Sequence, residues 1–239
     1  MHMTETLREI GRGREACVWR YGDRALRMPY DATKTYDPTI LDLKKHPNVV
    51  HVIAIDRTTA MIDMEYIPGK SMASILKEQQ PSAALAVHFI CQILKGVSHL
   101  HDSNIVHGDL SCQNVIVWHG GLKIIDFYAK RPILGSPIYT APEVIRLGRV
   151  SKEGDVWSTA IVMLMLEGLQ PWRNLELPHL LYHLGSNPAA MHGPPEVGEA
   201  DIFLDTVRLM FKVQDARCSL VQALHSVEDM ALRLGIAKE

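Results

Sequence analysis

His107-Gly108-Asp109-Leu110-Ser111-Cys112-Gln113-Asn114, followed shortly by Asp126-Phe127-Tyr128, is the stretch that decides how this chain folds. It sets Asp109, Asn114 and Asp126 at offsets of 0, 5 and 17 on turns that adjoin apolar runs. A single aspartate in a loop is usually a turn or cap residue and would decide nothing. Here Ile105-Val106 enters the first loop, Val115-Ile116-Val117 leaves it, and Leu122-Lys123-Ile124-Ile125 enters the second. The pattern predicts two short β-strands joined by a tight hairpin at His119-Gly120-Gly121, with the glycine pair as turn signal. Such a hairpin brings Asn114, at its start, close to Asp126, at its end. An amide oxygen beside a carboxylate makes a hard-oxygen site of the kind Mg²⁺ takes. Asp109 stands nearby as a candidate base.

These residues resemble the catalytic loop and metal-binding turn of the eukaryotic-type protein kinases, H-R-D-x-x-x-x-N followed by D-F-G. The resemblance continues in Gly135-Ser136-Pro137-Ile138-Tyr139-Thr140-Ala141-Pro142-Glu143, similar to G-T-P-x-Y-x-A-P-E, and in Asp155-Val156-Trp157-Ser158-Thr159-Ala160, similar to D-V-W-S-x-G. Arg217 falls where the family's late arginine pairs with the glutamate of A-P-E. The resemblance covers residues from 10 to about 222. It implies an α+β, bilobal fold in a single domain over 1–239. A small β-rich lobe with a shortened helix would occupy about 1–66, a hinge 65–69, and a mainly helical lobe about 70–239.

Composition agrees with a soluble globular protein: 47% hydrophobic, 22% charged, net charge -2. That balance carries no footprint of nucleic acid or of an anionic membrane surface. Cys17, Cys91, Cys112 and Cys218 are scattered without a C-x-x-C pair, which favours free intracellular thiols over a disulfide framework. Met1 to Gly13 lacks the apolar core of a signal peptide, and the longest apolar-leaning run, Val156 to Leu166, is too short to cross a bilayer. A cytoplasmic protein is expected.

In the small lobe, Ile10-Gly11-Arg12-Gly13-Arg14-Glu15-Ala16-Cys17-Val18 reads as a hairpin whose glycines let the backbone approach a phosphate. It is similar to the family's glycine-rich loop, with Ala16 in place of the third glycine. Ala25-Leu26-Arg27 resembles V-A-I-K except at the functional residue, where the family carries lysine. A guanidinium is planar and forked where an ammonium is a point charge. The helix glutamate that pairs with this lysine in the family is also missing, since no glutamate lies between Glu15 and Glu65. Counting back from His46-Pro47-Asn48-Val49-Val50, similar to H-P-N-I-V, its place falls on Asp37, just before Pro38. Two readings of Asp37 stand side by side: partner of Arg27, or N-cap of a short helix. Two strands over Val50–Ile55 and Thr59–Tyr66, with a turn at Asp56-Arg57-Thr58, lead to Met64-Glu65-Tyr66-Ile67-Pro68-Gly69, which resembles the hinge. The resemblance implies that the backbone of Glu65 and Ile67 meets an adenine base, with Gly11, Gly13, Val18, Ala25, Arg27 and Ile116 completing the nucleotide site.

In the large lobe, helices are expected over Ser71–Lys77, Ser82–His101, Asp155 to about Leu169, Ile202–Phe211 and Ser219–Leu234, with a loop over Gly185–Gly198. His99, His101 and His107 are close enough in sequence to suggest a metal cluster, although in the kinases the last histidine packs under the loop. Gly108 replaces the arginine of H-R-D, which argues against control by activation-loop phosphorylation. Ser111 replaces the lysine found two residues after the base, and Tyr128 the glycine of D-F-G. The H-G-D-L-S form resembles atypical and small-molecule kinases, whereas Ser136 favours hydroxyl-amino-acid substrates. The resemblance therefore implies transfer of the ATP γ-phosphoryl group to a protein serine or threonine. Asp109 would be the base, Asn114 and Asp126 would hold Mg²⁺, and Arg27 would contact the phosphates. The alternatives are a pseudokinase that binds a partner kinase or its substrate, and a small-molecule kinase.

Overall fold

The computed structural model describes residues 6–33, 35–128, 137–187 and 192–236. The chain begins with five antiparallel strands: β1 (Arg8–Arg12), β2 (Ala16–Tyr21), β3 (Arg24–Pro29), β4 (Val52–Ile55) and β5 (Ile62–Glu65). Their spatial order is β1-β2-β3-β5-β4. Val18 pairs with Arg27, and Ala25 with Met64, so the expected nucleotide-facing residues lie on adjoining strands.

Between β3 and β4 the described residues hold no α-helix. The expected shortened helix is a single 3₁₀ turn, Pro38–Asp42, which buries only Ile40. Pro38 fixes φ in the first turn, and too few residues remain before His46-Pro47 for an α-helix to establish itself.

A short β6 (Lys70–Ser71), β7 (Val115–Trp118) and β8 (Gly121–Ile124) form a second sheet in that order. The β7–β8 turn is tighter than the sequence suggested. Trp118 pairs with Gly121, and only His119 (φ 46°) and Gly120 (φ 77°) make the bend. Two successive positive φ values are what a two-residue hairpin turn needs to match the twist of its strands. Asn48 and Val50 bracket β8, with Val50 N–H donating to Ile124 O (2.9 Å) and Ile124 N–H to Asn48 O (2.9 Å). This segment stitches the first sheet to the second.

The helices are α1 (Met72–Glu78), α2 (Ala83–Asp102), α3 (Pro142–Leu147), α4 (Lys152–Leu166), α5 (Leu177–Ser186), α6 (Leu204–Met210) and α7 (Leu220–Arg233). Ser71, Ser82, Ser151 and Ser219 cap α1, α2, α4 and α7 by accepting from backbone N–H groups one turn on. The Ser151 cap corrects the expected start of α4 to Lys152, and Glu167 ends the helix before Leu169. The loop expected over Gly185–Gly198 begins later, because α5 runs two residues into that stretch, through Ser186. By length and hydropathy α2 could cross a membrane, yet half of that window is buried within the protein. Its face of Ile90, Ile93, Leu94 and Val97 packs with Trp157, Ile161 and Val227 in the larger core.

A second core lies under the first sheet and joins Ala25, Ile40, Val50, Val52, Ile62 and Met64 to Leu100, Ile105, Phe127 and Tyr128. The tail of the Asp126-Phe127-Tyr128 turn thus fills the small lobe from below. Gly69 allows the hinge to pass against β7: a Cβ there would overlap the carbonyl oxygen of Val117 and lie 2.9 Å from Ile116 Cγ2. Gly69→Ala should cost about 1–3 kcal/mol by forcing the hinge from the strand, read as a lower urea midpoint at unchanged slope. An unchanged midpoint would mean that the hinge yields freely.

Candidate active site

The catalytic loop is held from beneath by α4. Asp155, 1% exposed, accepts from His107 N–H (2.8 Å) and Gly108 N–H (2.9 Å), and its Oδ2 lies 2.7 Å from His101 Nε2. Gly108 takes φ 76°, a conformation glycine adopts without penalty. The residue that removes the family's arginine thus also permits the bend. His107 is fully buried, with Nε2 3.0 Å from Ile125 O. His99 turns to Lys44 O at 2.7 Å. The three histidines therefore have three separate partners, and no group of three or more metal-ligating His, Cys, Asp or Glu forms among the described residues.

The hairpin brings the expected acids and amide together. Ile125 N–H donates to Asn114 O at 2.9 Å, which sets Asn114 beside Asp126. Asn114 Nδ2 donates to Asp109 O (2.8 Å) and to Asp109 Oδ2 (3.1 Å). With its nitrogen committed, the amide has its oxygen left to face a cation. Asp126 adopts φ 61°, which turns its carboxylate toward Arg27, with Arg27 Nε 3.1 Å from Asp126 Oδ1. The amide oxygen of Asn114 beside the Asp126 carboxylate is a hard-oxygen pair of the kind a divalent cation takes.

Burial pushes the Asp109 carboxyl up to about 6; the Asn114 hydrogen bond opposes this, and the charges of Asp126 and Glu15 add to it. A carboxyl raised in the folded state binds its proton more tightly there than in the unfolded chain. Its ionisation therefore costs stability, a cost absent below the ordinary carboxylate range and fully present above pH 6. In metal-free protein Asp109→Asn should raise Tm by a few degrees at pH 7.5, with the gain fading by pH 4. An equal gain at both pH values would exclude the charge as its cause.

Arg27 does not meet the partner proposed for it in the sequence. Asp37 accepts from Thr39 N–H (3.1 Å) and Thr39 Oγ1 (2.7 Å), capping the 3₁₀ turn, and is not among the charges that act on Arg27. The cap reading prevails because the carboxylate lies within a residue or two of the N–H it satisfies. Arg27 instead donates to Tyr36 OH at 3.2 Å and lies 5.9 Å from the centre of the Tyr128 ring. Burial alone would lower its pKa; Asp126, Tyr36, Tyr128 and Glu15 together carry it above the ordinary value. Nothing in the sequence marked Tyr36, and Tyr128 was legible only as a missing glycine.

At the hinge, Glu65 N–H donates to His51 O at 3.0 Å, so that donor is not available to a base. Ile67 O accepts from Gly69 N–H at 2.9 Å. Its own N–H has no hydrogen-bond partner among the described residues. Val18 and Ile67 pack at the edge of the small-lobe core, around buried Ala25 and Met64. Ile116 pairs with Lys123 on the floor. Cβ atoms at Gly11 and Gly13 would make only ordinary contacts, 3.9 Å to Val18 Cβ and 3.6 Å to Ala16 O. Ser111 is buried with its hydroxyl unpaired and does not reach the cleft as a lysine would. Ser136 lies outside the described residues.

Residues 5–184 match the family described as protein kinase domain. Mitogen-activated protein kinase kinase kinase 19 of Mus musculus is 30% identical over 208 residues, covering 77% of this chain and 16% of that protein. Mitogen-activated protein kinase kinase kinase A of Dictyostelium discoideum is 29% identical over 184 residues, 70% of this chain and 19% of the relative. Serine/threonine-protein kinase SSK22 of Saccharomyces cerevisiae is 28% identical over 183 residues, 62% and 14%. The chain spans less than a fifth of the length of these relatives. With the family's loop, metal-binding turn and buried A-P-E glutamate all in place, this chain belongs to the protein kinase domain family.

Proposed function

We propose that this chain transfers the γ-phosphoryl group of ATP to a serine or threonine hydroxyl of a protein, within the cytoplasm. The observation that supports it most is the meeting of Asp109, Asn114 and Asp126 at one end of the β7–β8 hairpin, with Arg27 poised over Asp126. The serine/threonine kinases among its relatives support the substrate class. Asn114 Oδ1 and Asp126 would hold Mg²⁺, which when bound neutralises the charge of the phosphates. Arg27 presents its remaining N–H groups to phosphate oxygens. Gly11 and Gly13 are not required by the chain's own packing, so what they contribute is bare backbone toward a ligand. Asp109 accepts the proton of the attacking hydroxyl as the new P–O bond forms and the bond to ADP breaks. Its raised pKa suits a base that must take a proton near neutrality.

The test is transfer of labelled phosphate from ATP to a mixed protein substrate, together with the thermal shift given by ATP and Mg²⁺. Transfer that depends on Mg²⁺ and is lost in Asp109→Asn supports the reading. Transfer that survives that change would trace to a contaminant, and a nucleotide shift without transfer would assign the chain as a binding module acting on a partner kinase or its substrate.

A further inference from the structure

The geometry points to Tyr36 and Tyr128 as positioning residues that aim Arg27, in place of a glutamate on a helix that the described residues between β3 and β4 do not form. The inference rests on the phosphotransferase reading above and deepens it.

A buried cation needs its charge and its donors matched. Arg27 is only 12% exposed; the sequence between β3 and β4 has no glutamate to meet it, and the described residues there form no α-helix. Three contacts hold it, and the charge of Glu15 also acts on it. Its Nε lies 3.1 Å from Asp126 Oδ1, its Nη1 donates to Tyr36 OH at 3.2 Å, and its Cζ lies 5.9 Å from the Tyr128 ring centre. An acid at one edge, a phenol at another and an aromatic ring nearby restrict a planar group that one acid alone would leave free to swing.

The two tyrosines also brace each other. Their rings meet edge to face, with centroids 6.1 Å apart and planes at 77°. Tyr128 is 5% exposed, packs on Phe127 at 4.9 Å, and sets its hydroxyl 3.5 Å from Met64 Sδ. The side chain that replaces the family's glycine therefore fills the space beneath the small lobe. It ties the metal-binding turn to the strand that ends at the hinge.

Arginine is required by this arrangement. A lysine ammonium is a single point of charge and cannot serve Asp126 and Tyr36 from separate nitrogens of one rigid plane. Arg27, Tyr36 and Tyr128 thus form a set in which each departure from the family pattern accounts for another. A site assembled by side chains of a fixed strand and turn needs no helix to swing in.

Residues 1–239 and four variants, Tyr36→Phe, Tyr128→Leu, Tyr128→Phe and Arg27→Lys, are assayed for phosphate transfer and for the thermal shift given by ATP with Mg²⁺. Tyr36→Phe and Tyr128→Leu should each lower kcat by roughly ten- to a hundredfold, with a smaller change in KM for ATP. Tyr128→Phe should recover most of what Tyr128→Leu loses, because the ring is retained. Arg27→Lys should fall below the parent although it restores the family's residue. Tyr36→Phe keeps its shape at a partly exposed position, so it reads the missing hydroxyl even where Tyr128→Leu fails to fold. Arg27→Lys matching or exceeding the parent, or Tyr36→Phe transferring at the parental rate, would overturn the inference while leaving the kinase reading intact. A parent showing neither transfer nor nucleotide shift would remove both.

Discussion

On the proposed reading, phosphoryl transfer should fall by about 10²- to 10⁴-fold in Asp109→Asn, the range lost when a positioned base is removed, and comparably in Asp126→Asn, for a different reason. Asp109 is expected to act on the proton alone. Asparagine keeps an oxygen where the carboxylate accepts from Asn114 Nδ2, so the loop survives and the loss appears in kcat. Asp126 carries two charges' worth of duty. It would hold the cation, and it already neutralises Arg27, whose Nε lies 3.1 Å away in a site where the arginine is 12% exposed. Asp126→Asn therefore leaves a buried guanidinium without its carboxylate and should lower Tm as well as kcat. It should also raise the Mg²⁺ concentration needed for half-maximal rate, which Asp109→Asn should leave near the parental value. Measuring rate against Mg²⁺ and Tm for both variants separates the two roles. If Asp126→Asn keeps the parental Tm and the parental Mg²⁺ requirement, the Arg27–Asp126 contact is not an energetic feature of the folded protein.

The catalytic loop was legible because its chemistry is local. Asp109, Asn114 and Asp126 sit at short offsets on a hairpin whose turn is written in His119-Gly120, and the short apolar runs on either side of it mark the ends of its strands. Asp155 was legible for the same reason, as a carboxylate in the first turn of a helix. What escaped reading were partners chosen by tertiary space. Counting from the family pattern left Asp37 open as either a partner for Arg27 or the N-cap of a short helix. The fold spends that carboxylate on capping Pro38–Asp42 and sends Arg27 to Asp126 and Tyr36. Tyr128 was legible as a missing glycine, but not as the ring that fills the small-lobe core, because its neighbours Ile40, Met64 and Tyr36 belong to other elements. The expected short helix failed for a physical reason: a proline at the start and a second proline soon after leave no length over which helix propagation can offset its nucleation. The shift in α4 was a cap misread as loop, since Ser151 reads equally well as a turn residue until its side chain is seen to accept from Gly154 N–H.

Arg217→Ala should destabilise the chain by about 3–5 kcal/mol, the cost of stripping one partner from a buried ion pair. Arg217 meets Glu143 through both arms of its guanidinium, Nη1 to Oε1 and Nη2 to Oε2, the second at 2.9 Å. The side chains are 1% and 9% exposed, so neither charge can turn to water when the other is removed. Arg217 also donates to Glu153 O (3.0 Å) and Lys212 O (2.9 Å), and its guanidinium lies 5.0 Å from the Trp157 ring centre. Truncation thus takes a donor from two backbone carbonyls in addition to stranding a buried carboxylate. Glu143→Ala should cost less, because those carbonyls and the ring still serve the arginine. Replacing both by methionine should cost clearly less than the sum of the single losses, since an apolar pair of similar volume removes the stranded charges. Urea unfolding of the parent, Arg217→Met, Glu143→Met and the double methionine variant gives the coupling energy directly. Single losses below 1 kcal/mol, the range of exposed pairs, would show that water reaches this junction. α3 would then be held to the terminal segment by packing alone.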